Sequence, residues 1–278
     1  MNYTCLISAH ELRSIINHDK LVVFDCRHDL FNADFGWNSF RESHIPNAIF
    51  AKVNQNLSGK PNGKNGRHPL PDINTFSNWL GDAGVANDSQ IIAYDSSGGI
   101  YGARLWWMLR WAGHQRIAVL NGGWQAWISQ SFEVTKIEKQ INPRSFTPNA
   151  QMLNVDEEQI LKSSDEEFCL IDARSNDRFH GIGEKLDPVG GHIPGALNRY
   201  YENNLDDQGF FKTNSELRKE FSNLIDPTNP KNVVHTCGSG ISACHNLIAM
   251  ESSGLKGSRL YPGSWSAWVA DKKRPIAK

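Results

Sequence analysis

The chain has no apolar run approaching the ~18 residues needed to cross a bilayer. Its first residues, Met1-Asn2-Tyr3-Thr4-Cys5, lack the basic start and apolar stretch of a secretory leader. A cytoplasmic protein with no membrane partner is expected. There is no charge excess either: 29 Lys and Arg stand against 30 Asp and Glu, a formal net charge of -1, and the basic residues are scattered. That leaves no electrostatic footprint for nucleic acid, so an anionic ligand must be small and locally held. Cysteine is scarce and odd in number (Cys5, Cys26, Cys169, Cys237 and Cys244). With no CxxC pair, no HExxH and dispersed histidines, neither a disulfide framework nor a zinc site is indicated. Any chemistry is expected to need no metal.

The sequence does contain two copies of one unit. Val23-Phe24-Asp25-Cys26-Arg27 is echoed by Leu170-Ile171-Asp172-Ala173-Arg174, and His44-Ile45-Pro46-Asn47-Ala48 by His192-Ile193-Pro194-Gly195-Ala196. Gly123-Trp124-Gln125-Ala126-Trp127 is answered by Ser264-Trp265-Ser266-Ala267-Trp268. Features repeated in one order at nearly constant offset indicate tandem duplication. The stretch from Lys136 to Asn154 holds Pro143 and Pro148 and no sustained apolar period, as a linker would. Domains of 1–145 and 146–278 follow.

Each half alternates short apolar β-rich runs with helical segments, which predicts crossovers and a mostly parallel α/β sheet flanked by helices. Ser8-Ala9-His10-Glu11 is a capping box opening a helix, and Asn154-Val155-Asp156-Glu157 reads the same way. Strands are predicted at Leu21–Phe24, Ile91–Tyr94, Ile117–Leu120, Phe168–Ile171, Asn232–Thr236 and Ser258–Tyr261, and a helix over Tyr101–Trp111. Ligands of such sheets sit beyond the carboxyl ends of the strands.

The most informative stretch runs from Val233 through Thr236-Cys237-Gly238-Ser239-Gly240-Ile241-Ser242 into a helix ending near Ser252, with Gly254 as its stop. A strand, a tight glycine-rich loop and a helix N-terminus set one sulfur before converging backbone N–H groups, which favours thiolate. Gly238 and Gly240 supply positive φ where the bend requires it. Strand alignment puts Asp95 of the first half where Cys237 stands in the second, so the first half cannot do the same covalent chemistry. Its expected task is to help hold substrate. Cys244 is read as core packing, and nothing around Cys5, Cys26 or Cys169 would activate a thiol. Asp172 and Arg174 are read as tying loops together, the tryptophans as packing, and His44 and His192 as turn residues.

Over nearly its whole length the chain resembles the two-domain rhodanese-type sulfurtransferases. The resemblance rests on the paired His-Ile-Pro segments, Arg104-Leu105-Trp106-Trp107, Asn121-Gly122-Gly123, Arg178-Phe179, Cys237 to Ala243 and Gly263-Ser264-Trp265. It implies tandem rhodanese-like domains. It also implies a ping-pong reaction in which Cys237 takes a sulfane sulfur as a persulfide, without cofactor, and passes it to cyanide or to a thiol such as thioredoxin. Six backbone amides around the sulfur would stabilise the anion. The loop is similar to that of the 3-mercaptopyruvate enzymes, with Gly238, Gly240, Ile241 and Ser242 lining the donor; the thiosulfate enzymes carry cations there. Arg178 matches the family's substrate-binding arginine, suited to a carboxylate beside a ketone. The family's second arginine, between Arg178 and His192, is missing; Lys185 or Arg67 could supply that charge. His68, in Gly66-Arg67-His68-Pro69-Leu70-Pro71, matches the histidine that pairs with the loop serine, here Ser239. No aspartate in residues 59–65 completes a relay.

Two other readings compete. A cysteine phosphatase needs an arginine closing C-x5-R, and position 243 is Ala. A noncatalytic sulfur carrier or interaction module would not need to retain Cys237 in a glycine-rich loop. Thiosulfate is the alternative donor to mercaptopyruvate.

Overall fold

Strands rich in Val, Ile and Leu with no polar alternation must be covered on both faces, which a parallel sheet flanked by helices provides. The computed structural model describes residues 1–162 and 168–278. It divides into two compact units: Met1–Gly59, Pro71–Met152 and Gln208–Phe210 form the first, and Lys60–Leu70, Leu153–Asp207 and Phe211–Lys278 the second.

The first unit holds β1 (Leu6–Ile7), β2 (Leu21–Asp25), β3 (Ala48–Phe50), β4 (Gln90–Tyr94) and β5 (Ile117–Leu120). They form one sheet in the order β1-β5-β4-β2-β3, parallel throughout. Every residue of β2, β4 and β5 is buried. The expected helix spans Ile100–Trp111, and Ser8 and Glu11 close the expected capping box before the helix Ala9–Ile15.

The second unit repeats the plan with β6 (Cys169–Asp172), β7 (Leu197–Asn198), β8 (Val233–Thr236) and β9 (Arg259–Leu260), parallel in the order β7-β6-β8-β9. Its cap differs from the expected one. Asp156, not Asn154, takes the N–H of Gln159 at 2.8 Å, and Gln159 returns the contact to the Asp156 N–H at 2.9 Å, before the helix Glu157–Lys162. Asn154 instead forms a bridge with Leu260.

The proline-bearing stretch around residue 145 is not a free linker. Arg144 N–H donates to Gly81, Asn149 to Ala112 and Gln151 to Trp111, and Thr147 pairs with Asn87, so the chain stays on the first unit until Met152.

The repeated Asp-x-Arg pairs tie loops at both sheets, as expected. The guanidinium of Arg27 grips Asp25 at 2.6 Å and the Ser43 carbonyl at 2.6 Å; Arg174 grips Asp172 at 2.6 Å and the Gly191 carbonyl at 2.7 Å. Both pairs are buried, so removing one partner would strand a charge at a cost of about 3–5 kcal/mol. His44 and His192 are matched as well: each donates its Nδ1–H to a carbonyl, of Phe40 and Phe179 respectively, and each pins a later strand-like segment by backbone pairing. Trp107, Trp127, Trp265 and Trp268 are among the largest fully buried side chains. No helix among the described residues is long and apolar enough to cross a membrane.

Candidate active site

The equivalence of the two sheets is set by register. In the first unit Asp25 pairs with Tyr94, the residue before Asp95; in the second Asp172 pairs with Thr236, the residue before Cys237. Asp95 and Cys237 therefore leave corresponding strands at corresponding points, as the alignment required.

Cys237 is buried, 1% exposed, at the carboxyl end of β8. The loop turns back through Gly240, at φ +78°, where a side chain would strike the Pro262 carbonyl at 2.4 Å, so only glycine fits. That turn aims the Gly240 N–H at Cys237 Sγ, 3.1 Å away. Gly238 is different: its φ is not positive. A Cβ there would lie 2.9 Å from Nη2 of Arg67, displacing that flexible side chain, and 3.5 and 3.7 Å from Nη2 and Nη1 of Arg178. Two guanidinium groups thus converge on the backbone beside the thiol. Ile241 is buried, its carbonyl taking the N–H of Cys244, and Ser242 caps the helix Ala243–Ser252 by position, without a side-chain cap bond.

Segment 60–70 belongs to this unit and brings two candidate residues with it. The side chain of Asn62 accepts from the N–H groups of Lys64 and Asn65, closing a polar turn. Beyond it the Arg67 N–H donates to Ser266 Oγ at 3.1 Å, and His68 Nδ1 meets Ser239 Oγ at 2.8 Å. Both members of that dyad are largely buried, 8% and 7% exposed.

The arginines have acidic partners that sequence reading did not single out. Glu184 receives Nε and Nη2 of Arg178 at 3.2 and 2.9 Å. Burial would raise the carboxyl of Glu184, but the N–H of Leu186 and the Arg178 guanidinium outweigh it and hold it below the usual range. Asp187 pairs with Arg67 through one oxygen, while its other oxygen is buried with no hydrogen-bond partner and sits 3.9 Å from Nη2 of Arg178. Burial pushes this carboxyl up, against the pull of Arg67. Lys185 is exposed, and its side chain makes no ion pair among the described residues.

Ser264 was also missed as a site residue. Its hydroxyl accepts the Cys237 N–H at 3.1 Å and lies 3.9 Å from Sγ. It holds φ +51°, a conformation that costs an L-residue, where its copy in the first unit is Gly123 at φ +56°. A serine standing where the duplicate has glycine was the readable signal.

The remaining thiols differ from Cys237. Cys244 points its S–H at the Gly240 carbonyl, 3.4 Å away and fully buried. Burial, with Asp95 and Asp25 nearby, pushes Cys26 well above its ordinary range, and burial raises Cys169. Among the described residues no group of His, Cys, Asp or Glu is placed to hold a metal ion.

This geometry has relatives. The chain is 37% identical, over 100% of its length and 99% of the relative's, to a probable 3-mercaptopyruvate sulfurtransferase of Pseudomonas aeruginosa. It is 32% identical to the thiosulfate sulfurtransferase of Bos taurus, over 82% of this chain and 78% of that one. Among solved structures, 3-mercaptopyruvate sulfurtransferase from Leishmania major superposes with a TM-score of 0.83 at 30% identity, covering 95% of this chain and 73% of that one. The model of the rhodanese-like domain matches twice, at residues 8–130 and 155–271, so the chain belongs to the rhodanese-like domain family, in tandem.

Proposed function

We propose that the protein is a sulfurtransferase that takes the sulfane sulfur of 3-mercaptopyruvate onto Cys237 and passes it to a thiol or cyanide acceptor. The observation that carries this reading is the buried Cys237 thiol, held by the Gly240 N–H and Ser264 at the end of β8 with the His68–Ser239 pair on its loop. In the first half-reaction the thiolate attacks the donor's sulfur. The S–S bond forms, the C–S bond breaks, and its electron pair passes to carbon as the enolate of pyruvate. Ser239, backed by His68, polarises the ketone on which that negative charge develops, and a proton delivered to carbon completes pyruvate. In the second half-reaction the acceptor attacks the outer sulfur, and Cys237 leaves as thiolate.

The donor's carboxylate is assigned to the guanidinium groups of Arg178 and Arg67 over Gly238, with the loop backbone of Gly238, Gly240, Ile241 and Ser242 around the sulfur. Mercaptopyruvate is preferred over thiosulfate because both arginines are matched by acids, Glu184 and Asp187, so directed donors are present without the excess charge a dianion would require. A dithiol such as thioredoxin suits the acceptor role, because attack on the persulfide by one thiol is completed by the second. Five free thiols fit a reducing, cytoplasmic compartment.

The test is a side-by-side assay of sulfur transfer to cyanide from 3-mercaptopyruvate and thiosulfate. Mercaptopyruvate should show much the higher kcat/KM, and Cys237→Ser should be inactive with both. His68→Ala should lower kcat on mercaptopyruvate by about 100-fold but barely affect thiosulfate, which has no ketone to polarise. A thiosulfate preference would reverse the donor assignment, and no turnover of either would favour a sulfur carrier.

A further inference from the structure

A carboxylate is held best by two N–H donors presented together. Arg178 has already given Nε and Nη2 to Glu184, which leaves Nη1 as the group it can offer without giving up that pairing. The second donor has to come from elsewhere, and the stretch after Arg178 contains no other arginine before His192. It contains Asp187 instead, and Asp187 grips the guanidinium of Arg67, an arginine more than a hundred residues earlier in the chain. The result is that Nη2 of Arg67 stands beside Gly238 together with both terminal nitrogens of Arg178. The cost is visible: the second oxygen of Asp187 is buried with no hydrogen-bond partner, as is Nε of Arg67. Buried groups left in that state call for a reason.

We propose that Asp187 is a positioning residue, which by holding Arg67 delivers the second guanidinium of the donor's carboxylate subsite over Gly238. The subsite would take the carboxylate end of a 2-oxo acid. Glu184 acts in the same way on Arg178, and each cation is thereby fixed by one acid. The proposal rests on the sulfurtransferase reading only for the identity of the ligand. The placement of Arg67 by Asp187 is a statement about charge next to Cys237, which can be measured without any sulfur donor.

The sign of one effect separates positioning from simple neutralisation. If Asp187 only cancels charge, Asp187→Asn leaves Arg67 in place with its charge unopposed. Anions should then reach Cys237 more readily and the KM for mercaptopyruvate should fall. If Asp187 positions Arg67, the same variant lets the long side chain move into solvent, and both effects reverse. The experiment measures alkylation of Cys237 by anionic iodoacetate and neutral iodoacetamide, and KM and kcat for 3-mercaptopyruvate. The enzymes are wild type, Arg67→Gln, Asp187→Asn and the exchange Arg67→Asp with Asp187→Arg.

The expected result is that Arg67→Gln and Asp187→Asn both lower the iodoacetate-to-iodoacetamide rate ratio several-fold. Both should raise KM about tenfold, the worth of one charge-assisted hydrogen bond, with little change in kcat. The exchanged pair, which carries its guanidinium on residue 187, should recover KM to within about threefold of wild type, because the same ion pair is rebuilt in reverse. An unchanged iodoacetamide rate certifies that the Cys237 loop is intact in each variant. A raised ratio and a lowered KM in Asp187→Asn would overturn the proposal, as would an exchanged pair no better than the single variants. Wild type that fails to use mercaptopyruvate would defeat the donor assignment alone, and the alkylation ratio would still decide the role of Asp187.

Discussion

In the first unit the loop after β4 closes on a carboxylate, and in the second the loop after β8 closes on a thiol. The Asp95 carboxylate accepts four backbone N–H groups, from Ser97 at 2.7 Å, Gly99 at 2.9 Å, Tyr101 at 2.8 Å and Gly102 at 2.9 Å. Its carbonyl takes the N–H of Trp124 at 2.8 Å, just as the Cys237 carbonyl takes that of Trp265 at 3.0 Å. The frame is shared: strand end, turn, helix N-terminus, and a tryptophan helix closing behind. Both loops present donors to the group at the strand end ahead of a helix N-terminus: four backbone N–H groups reach Asp95, whereas the Gly240 N–H and, at 3.9 Å, the Ser264 hydroxyl face Cys237 Sγ, fewer than the six amides expected. In the first unit the cradle is permanently filled. Burial raises the Asp95 carboxyl despite those four donors, and all four are taken up by its own oxygens, so none is offered to a ligand. In the second a sulfur stands at that point, and in the proposed reaction it enlarges by one atom and is discharged again. The comparison teaches that this fold supplies an anion hole, and that the atom placed in it decides whether the hole is a strut or a catalyst.

Copying one loop into the other should break the comparison most sharply. Cys237→Asp should abolish sulfur transfer, on the order of 10⁴-fold or more, since no nucleophile is left. Thermal melting should nevertheless remain at or above that of Cys237→Ala, because the carboxylate can accept from the Gly240 N–H and the Ser264 hydroxyl. A Cys237→Asp protein that melts well below Cys237→Ala would show that the second cradle does not accept a fixed anion.

The reciprocal change tests the strut. Asp95→Ala leaves four buried donors without their acceptor and should cost about 3 kcal/mol or more, read from urea unfolding. A loss under 1 kcal/mol would mean that the loop of the first unit stands without its carboxylate. The smallest expected effect comes from Ser264→Gly, which restores the residue of the first unit. Relief of strain at φ +51° should offset the lost hydroxyl, leaving stability within about 1 kcal/mol. The kcat should fall about fivefold, since the Cys237 N–H and Sγ both lose a partner. A kcat equal to wild type would remove Ser264 from the site.

The sheet, the duplication and the equivalence of Asp95 with Cys237 were legible in the sequence because periodicity and order survive without coordinates. The six expected strands lie within a residue or so of their places, while the short strands Leu6–Ile7, Ala48–Phe50 and Leu197–Asn198 went unread, and the Cys237 loop and the His68–Ser239 meeting followed from motifs that match the family. What could not be read was pairing between distant charges. Arg67 and Asp187 are far apart in the chain, and nothing local marks Asp187 as the partner of one arginine and Glu184 as that of another. Gly238 was read with Gly240 as a source of positive φ, whereas its φ is not positive and its open side faces the guanidinium groups of Arg67 and Arg178. The proline-bearing stretch near residue 145 misled for a similar reason: composition signals irregular backbone, but only hydrogen-bond partners reveal that it stays attached to the first unit. Ser264 was detectable in principle from its exchange with Gly123, a contrast that only gains meaning once both are seen at positive φ.

The most direct test of the account is to treat the protein with 3-mercaptopyruvate in the absence of acceptor and to locate the added sulfur by mass spectrometry of its peptides. The account predicts a gain of one sulfur atom on the peptide containing Cys237, released by cyanide or a dithiol and absent from Cys237→Ser. Sulfur carried stably by Cys244 or Cys26 instead, or turnover that persists in Cys237→Ser, would contradict it.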